Sequence, residues 1–501
     1  MSRPSTLAEL KKSGYAPRTV KEELRANLIA RIRGRQPLFE GIHGYEDTVV
    51  PALERAILAG HSINLLGLRG QAKTRMARAL VQLLDEWMPV VEGSEINDDP
   101  MAPISRYAKD LIATKGDATP IAWVHRDQRY TEKLATPDVT VADLIGDSDP
   151  IKAANLKLDY SDERVIHFGL IPRSHRGIFV INELPDLQPR IQVALFNILQ
   201  EGDVQIRGFK LRLPLDIQFV FTANPEDYTN RGAIITPLKD RIQSQILTHY
   251  PGSVELGMRI TAQELRSPAG QAERVKVPDL LRVLVERVAM EARNSEFVDP
   301  KSGVSARLTI SAMESVISAA ELRALRNGEE RTVARIADLH AIVPAITGKI
   351  ELVYEGEQEG PEKVAVHLIG LAVRNVFKEL FPDPAKPRKL GRNPPTGTGR
   401  PDPYAQVIGW FDDNSLDLTA TATDDDHRAA LRTVPGLDGL VQEQHPYLEA
   451  DEVPLWMEFV LHGLSEHSRI GRSTLVRSVR FGDVLGSVLG NIDEESDEGE
   501  A

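Results

Sequence analysis

A short apolar run leads directly into a glycine-containing loop and then into a helix-forming segment. Ser62 to Leu66 is predicted to be a buried strand, Gly67 to Thr74 form the loop, and Arg75 to Trp87 are predicted to be a helix. Backbone N–H groups at such a loop and helix start attract phosphate. Lys73 is placed to contact β- and γ-phosphates, and the Thr74 hydroxyl to ligate Mg²⁺. The alternative is an ordinary glycine-containing turn between a strand and a helix. The predicted phosphate-binding residues are Gly67, Arg69, Gly70, Gln71, Ala72, Lys73, Thr74 and Arg75.

Two further apolar runs end in polar residues. Gly177 to Ile181 is predicted to be a fully buried strand that stops at Asn182 and Glu183, and Ile217 to Thr222 is a similar strand followed by Ala223 and Asn224. In an open parallel sheet, ligands lie at the carboxyl ends of the strands. Glu183 is therefore predicted to activate a water beside a bound phosphate. The fold class expected from these patterns is α/β with a parallel sheet.

Length and composition limit the class of protein. The chain has 501 residues, a net charge of −13 and no cysteine. Disulfides, thiolate metal sites and cysteine nucleophiles are thereby excluded, and the acidic charge does not favour nucleic acid as a main partner. No apolar run is long enough to span a bilayer and no signal peptide is evident, so a cytoplasmic protein is expected.

Changes in composition along the chain predict several segments. The basic helix from Thr19 to Arg35 either docks on an acidic surface or packs on the main domain. A stretch rich in proline and glycine predicts a linker, and the last residues form an acidic tail. The predicted segments are an N-terminal helical arm (1–36), a nucleotide-binding core (37–255), a helical domain (256–385), a linker (386–403), an α-rich C-terminal domain (404–490) and the tail (491–501).

Five motifs in order resemble those of the AAA+ ATPases of the MoxR and magnesium-chelatase I-subunit group, over about residues 38–385. Gly67 to Thr74 resembles Walker A, and Ile178 to Glu183 resembles Walker B. Asn224 matches the sensor-1 position, Arg241 the arginine finger, and Arg307 sensor 2. A predicted hairpin around Gly208, from Val204 to Leu211, also resembles the insertion hairpin of this group.

The resemblance implies a P-loop AAA+ core followed by an α-helical lid, with ATP and Mg²⁺ as ligands. Glu183 would act as general base and Asn224 would help to place the water. Arg241 would reach the nucleotide of a neighbouring subunit, while Arg307 would contact the γ-phosphate of its own. A ring, most simply a hexamer, is implied by a finger that acts in trans. The implied partner is a protein with a von Willebrand factor A domain.

Two residues depart from the pattern of the group. Ala72 stands where a second glycine is usual, and an alanine fits only if φ is negative there or a methyl group is tolerated. Asn182 stands where an aspartate normally holds Mg²⁺ together with Thr74, and an amide is a poorer ligand for a hard cation. Slow turnover is therefore expected.

Three functions remain open from the sequence. The first is an ATP-driven chaperone that remodels or activates a partner protein. The second is the ATPase motor subunit of a magnesium or cobalt chelatase, which the C-terminal region beyond residue 403 does not favour. The third is a nucleotide-responsive scaffold that hydrolyses little, which the residues at positions 72 and 182 would suit.

Overall fold

The computed structural model divides the chain into two compact units, Met1–Tyr250 and Pro251–Ala501. It describes residues 3–158, 162–206, 212–225, 233–384, 402–475 and 478–484. The predicted tail and almost all of the predicted linker lie outside these residues. Within them, no helix combines the length and the apolar character that crossing a bilayer requires.

The first unit alternates strands with helices. Its strands are β1 (Ile63–Leu66), β2 (Trp87–Val91), β3 (Ile121–His125), β4 (Tyr130–Leu134), β5 (Gly146–Ser148), β6 (Ile166–Phe168), β7 (Gly177–Asn182), β8 (Asp203–Gln205), β9 (Arg212–Pro214), β10 (Ile217–Ala223) and β11 (Ser244–Leu247). Its helices are α1 (Leu7–Lys12), α2 (Val20–Arg33), α3 (Val49–Leu58), α4 (Lys73–Ala79), α5 (Arg106–Lys115), α6 (Val141–Leu144), α7 (Pro150–Leu156), α8 (Leu170–Arg173), α9 (Pro189–Glu201) and α10 (Thr236–Arg241).

Five parallel strands form the central sheet, in the order β11-β1-β10-β7-β4. The predicted α/β class with a parallel sheet is confirmed, and β1, β7 and β10 are the three strands that the apolar runs predicted. Every residue of β7 and β10 is buried, as expected for strands covered on both faces. In the ladder, Leu66 pairs with Ala223 and Leu134 with Asn182. The carboxyl ends of these strands therefore lie together, along one edge of the sheet.

Alternate side chains of β7 enter two different cores. Ile178 and Val180 pack into a cluster with α2, α3 and α4, whereas Phe179 and Ile181 pack into a cluster with α9. This alternation follows from the two-residue period of a strand. Of the two readings of the basic N-terminal helix, the structure shows packing: Val20, Leu24 and Leu28 of α2 belong to the first cluster.

The prediction of one helix from Arg75 to Trp87 is wrong. α4 ends at Ala79, a 3₁₀ turn covers Leu80–Leu83, and Trp87 begins β2. The reason is tertiary: the buried carboxylate of Glu23 accepts the backbone N–H of Asp85 at 2.6 Å, where a continued helix would use that group internally. The helical pattern alone does not reveal this competitor.

Residues 88–135 contain regular secondary structure. The segment contains α5, an antiparallel pair of β2 with β3, and the edge strand β4 of the central sheet. The strand β3 lies outside the central sheet. β4 was missed because Tyr130–Leu134 is half-buried and carries charged residues, which is typical of an edge strand.

The predicted hairpin is present in its two strands. β8 pairs with β9 in antiparallel register, from Asp203 opposite Pro214 to Gln205 opposite Arg212. The predicted turn around Gly208 lies outside the described residues.

The second unit is mainly helical. Its helices are α11 (Val254–Glu264), α12 (Gln271–Arg274), α13 (Asp279–Asn294), α14 (Arg307–Asn327), α15 (Val343–Thr347), α16 (Tyr354–Glu359), α17 (Pro361–Leu380), α18 (Ala405–Trp410), α19 (Asp424–Leu431), α20 (Leu437–Gln444) and α21 (Val453–Glu466). Its strands are β12 (Val275–Lys276), β13 (Thr332–Val333), β14 (Leu416–Thr419), β15 (Gly471–Leu475) and β16 (Ser478–Gly482).

The C-terminal part of this unit contains more than helices. β14, β16 and β15 form an antiparallel sheet that the sequence did not predict. Phe377 of α17 and Phe459 of α21 are fully buried with ring centroids 5.8 Å apart, and both belong to one continuous core. The helices before and after the predicted linker therefore pack on each other.

Candidate active site

The loop after β1 is held in place from β11 and from the segment before α3. Gly67 leaves no room for a side chain, because a Cβ there would lie 2.0 Å from Thr248 Oγ1. Buried Gln71 accepts a hydrogen bond from the same hydroxyl at 2.6 Å, and the Tyr45 hydroxyl lies 2.9 Å from the carbonyl oxygen of Gln71. Tyr250 donates to the carbonyl oxygen of Arg69 at 2.9 Å. The loop is thus held by contacts within the protein.

The helix begins at Lys73, two residues before the predicted Arg75, and it follows one strained residue. Gly70 and Ala72 have φ values of 74° and 55°, and α4 begins at Lys73. Of the two conditions under which alanine fits at position 72, the structure shows the second: the methyl group is tolerated in a left-handed conformation. Such a conformation costs an L-residue about 1–2 kcal/mol. Arg75 lies on the exposed side of α4.

Three predicted residues form a continuous hydrogen-bonded chain. The buried Lys73 ammonium donates to Asn224 Oδ1 at 2.6 Å and to the carbonyl oxygens of Gly67 and Leu68. Asn224 Nδ2 donates in turn to Glu183 Oε2 at 2.8 Å. The amide of Asn224 therefore stands between the amine predicted to hold phosphate and the carboxylate predicted to be the base.

Glu183 has an unusual backbone conformation. Its φ and ψ are 55° and 49°, in the left-handed region, and its N–H donates to Thr222 Oγ1 at 3.2 Å. Strained residues of this kind concentrate at functional sites. The conformation turns the side chain of Glu183 from the end of β7 toward Asn224 at the end of β10.

A carboxylate that the sequence reasoning missed lies beside Asn182. Asn182 Nδ2 donates to Glu132 Oε1 at 2.6 Å, and Arg78 and Tyr130 donate to Glu132 Oε2 at 2.9 and 3.0 Å. Burial opposes ionisation of Glu132, but the hydrogen bonds from Arg78, Tyr130 and Asn182 outweigh it and lower the pKa of this carboxyl. The sequence signal for this strand was weak, because in Tyr130–Leu134 only the first and last residues are apolar.

The predicted metal ligands offer oxygen atoms. Asn182 Oδ1 accepts from Thr222 Oγ1 at 3.1 Å and lies 3.5 Å from Thr74 Oγ1. Hydroxyl, amide and carboxylate oxygens are the donors that Mg²⁺ prefers. Thr74 and Asn182, with Glu132 beside them, therefore fit a bound Mg²⁺ at this edge of the sheet.

The two predicted arginines are in different units of the chain. Arg241, at the end of α10, pairs with Asp240 at 2.9 Å, contacts Gln200 at 3.1 Å and stacks over Phe196 at 4.5 Å. Arg307 is in the second unit, where it begins α14 and its N–H donates to Ser305 Oγ at 3.1 Å. In the described part of the first unit, the contacts of Arg241 are thus separate from the hydrogen-bonded chain that runs from Lys73 to Glu183.

Comparison with known proteins gives relatives for part of the chain. No protein-family model matches. The magnesium-chelatase 38 kDa subunit of Rhodobacter capsulatus is 26% identical over 226 residues, which is 44% of this chain and 59% of that protein. The corresponding subunit of Cereibacter sphaeroides is 25% identical over 226 residues, which is 44% of this chain and 61% of that protein. The chain is a relative of these subunits.

The resemblance to the AAA+ ATPases of the MoxR and magnesium-chelatase group is thereby confirmed. The chain spans about three fifths of the length of the curated relatives it matches. A solved complex of the magnesium-chelatase subunits BchI and BchD overlaps 64% of this chain and 98% of that chain, at 20% identity and a TM-score of 0.33. An overlap this weak adds nothing to what the sheet topology shows.

Proposed function

We propose that this chain is an ATPase that binds and hydrolyses ATP with Mg²⁺ and uses the cycle to remodel or activate a partner protein. The observation that supports this most is the hydrogen-bonded chain from Lys73 through Asn224 to Glu183. It brings a cation and a carboxylate together, with a glycine loop and a helix start beside them. These are the parts that phosphoryl transfer to water requires.

Each residue has a distinct part in the proposed reaction. Lys73 leaves Asn224 to bind the β- and γ-phosphates, together with the N–H groups of the loop. Asn224 keeps Glu183 oriented, and Glu183 polarises the attacking water as general base. Mg²⁺ near Thr74 and Asn182 would offset charge on the phosphates. In this proposal, Arg307 contacts the γ-phosphate within the same chain.

The hydrolysis step is tested with Glu183→Gln. We expect ATP hydrolysis to fall about 10²–10⁴-fold while ATP binding is kept, because the amide cannot take a proton. Glu201→Gln, the same change at an exposed position on α9, is the control. If the wild type hydrolyses no more ATP than Glu183→Gln while both bind it, the chain is not an ATPase, and the nucleotide-responsive scaffold becomes the better account.

Ring formation is tested through Arg241. We propose that Arg241 exchanges Asp240 and Gln200 for the nucleotide of a neighbouring subunit. Arg241→Ala should keep ATP binding and lose about 10³-fold or more in turnover, whereas Lys239→Ala, an exposed cation on the same helix, should not. Mixing Arg241→Ala with Lys73→Ala subunits should restore part of the activity. Absence of any oligomer in the presence of ATP would exclude a finger that acts in trans.

The partner is proposed from the resemblance alone. A protein with a von Willebrand factor A domain should be retained by the ATP-locked Glu183→Gln variant and released from Lys73→Ala, which a pull-down measures. The relatives named above are magnesium-chelatase subunits, so a metal chelatase motor is the second candidate. Stimulation of Mg²⁺ or Co²⁺ insertion into a tetrapyrrole would favour it.

A further inference from the structure

Asn182 ends β7 with an amide, and Glu132 on the neighbouring strand β4 carries a carboxylate. Asn182 is neutral where the resemblance leads us to expect a carboxylate, and Glu132 on the neighbouring strand carries one. Their side chains meet in a hydrogen bond of 2.6 Å from Asn182 Nδ2 to Glu132 Oε1. The carboxylate of this part of the sheet is thus on β4 and not at position 182 of β7.

We propose that Glu132 is a positioning residue that sets the Asn182 amide for Mg²⁺. A carboxylate only accepts hydrogen bonds, so the NH₂ side of the amide must face Glu132. The amide oxygen then faces Thr74 and the metal. This inference rests on the proposed function, because it concerns Mg²⁺ bound with the nucleotide.

The surrounding contacts hold this arrangement from both ends. Arg78 donates through Nε and Nη2 to the two oxygens of Glu132, at 2.9 and 3.2 Å. On the other side, Thr222 Oγ1 donates to Asn182 Oδ1 at 3.1 Å, and Thr74 Oγ1 lies 3.5 Å from the same oxygen. Reversal of the amide would place its NH₂ against Thr222 and its oxygen against Glu132. The second of these contacts is repulsive.

The arrangement explains why an amide occupies position 182. An aspartate there would place a carboxylate oxygen about where Asn182 Nδ2 now lies, at hydrogen-bond distance from Glu132. Two carboxylates that close repel each other. The residue usual in the group therefore fits position 182 only when position 132 is neutral.

A cycle of four proteins tests this: wild type, Glu132→Gln, Asn182→Asp and the double variant. Binding of a non-hydrolysable ATP analogue is measured with Mg²⁺ and with EDTA, and the ratio of the two affinities gives the contribution of the metal. Glutamine both donates and accepts, so it leaves the Asn182 amide free to reverse. Loss of an outer partner of a metal ligand typically costs 10–100-fold in metal affinity, so we expect Glu132→Gln to lose about tenfold in this ratio. In Asn182→Asp, Mg²⁺ would relieve the repulsion between the two carboxylates, so the ratio should not fall.

The double variant should recover to within about threefold of the wild type, because it restores one carboxylate and one amide to the pair. A purely structural role would change the EDTA affinity as much as the Mg²⁺ affinity and leave their ratio unchanged. The inference is overturned if Glu132→Gln leaves the ratio unchanged, or if the double variant loses as much as Glu132→Gln does. If the wild type binds no analogue at all, the proposed function itself fails and the inference falls with it.

Discussion

Ala72→Gly should relieve strain in the loop without losing the fold. Ala72 has φ 55° and ψ 16°, which costs an L-residue about 1–2 kcal/mol relative to a right-handed conformation. Glycine removes that strain but gives the unfolded chain more freedom, which costs about 0.4–1 kcal/mol. The expected net effect is a gain of about 0–1.6 kcal/mol in the free energy of unfolding, or up to about 3–6 °C in Tm for a unit of this size.

Ala79→Gly is the matched control for this prediction. Ala79 ends the same helix, is half-buried against the same apolar cluster, and has φ −64° and ψ −23°. It should lose about 1 kcal/mol, as glycine does in a helix. Both variants lose a methyl contact and both give the unfolded chain more freedom, so these two effects cancel in the comparison. The difference left is the backbone strain at Ala72, about 1–2 kcal/mol in the free energy of unfolding, measured by urea unfolding of the full chain. Equal destabilisation by both would refute the strain at position 72.

Three further predictions concern buried groups of the first unit. Burial raises the pKa of Asp216 to about 6, so the native state binds the carboxyl proton more tightly than the unfolded state does. The free energy of unfolding therefore falls as the pH rises from about 4 to 6. Asp216→Asn should therefore be more stable than the wild type at pH 7, by up to about 3 kcal/mol, and no more stable below pH 4, which urea titrations at both pH values measure. Glu23→Gln leaves the Arg129 guanidinium, 1% exposed, without its carboxylate, and should cost about 3–5 kcal/mol in unfolding free energy; a loss below about 1 kcal/mol would contradict a buried ion pair. Gly67→Ala forces a methyl group against Thr248, so it should weaken ATP binding more than Thr248→Ala does, as measured by calorimetric titration.

The sequence predicted the parts of the site that follow long apolar runs. Glu183 and Asn224 end such runs and Lys73 follows a third, so the parallel strands bring them to one edge of the sheet. The sequence did not predict Glu132, because its strand lies at the edge of the sheet and carries no apolar run. The sequence did not predict the early end of α4, because Glu23, which is remote in sequence, accepts the backbone N–H of Asp85 in the segment that follows.

The same separation in sequence has a consequence for synthesis on the ribosome. Helix α2 has partners far along the chain: Arg129 pairs with Glu23 over 106 residues, and Asp216 accepts the N–H of Val20 over 196. At about 5–20 residues per second, Asp216 leaves the ribosome roughly 10–40 s after Val20. During that time β10, one of the elements that pack on α2, has not yet been made. Chaperones that act on nascent chains should therefore bind the first thirty or so residues, and release them once β10 has been made.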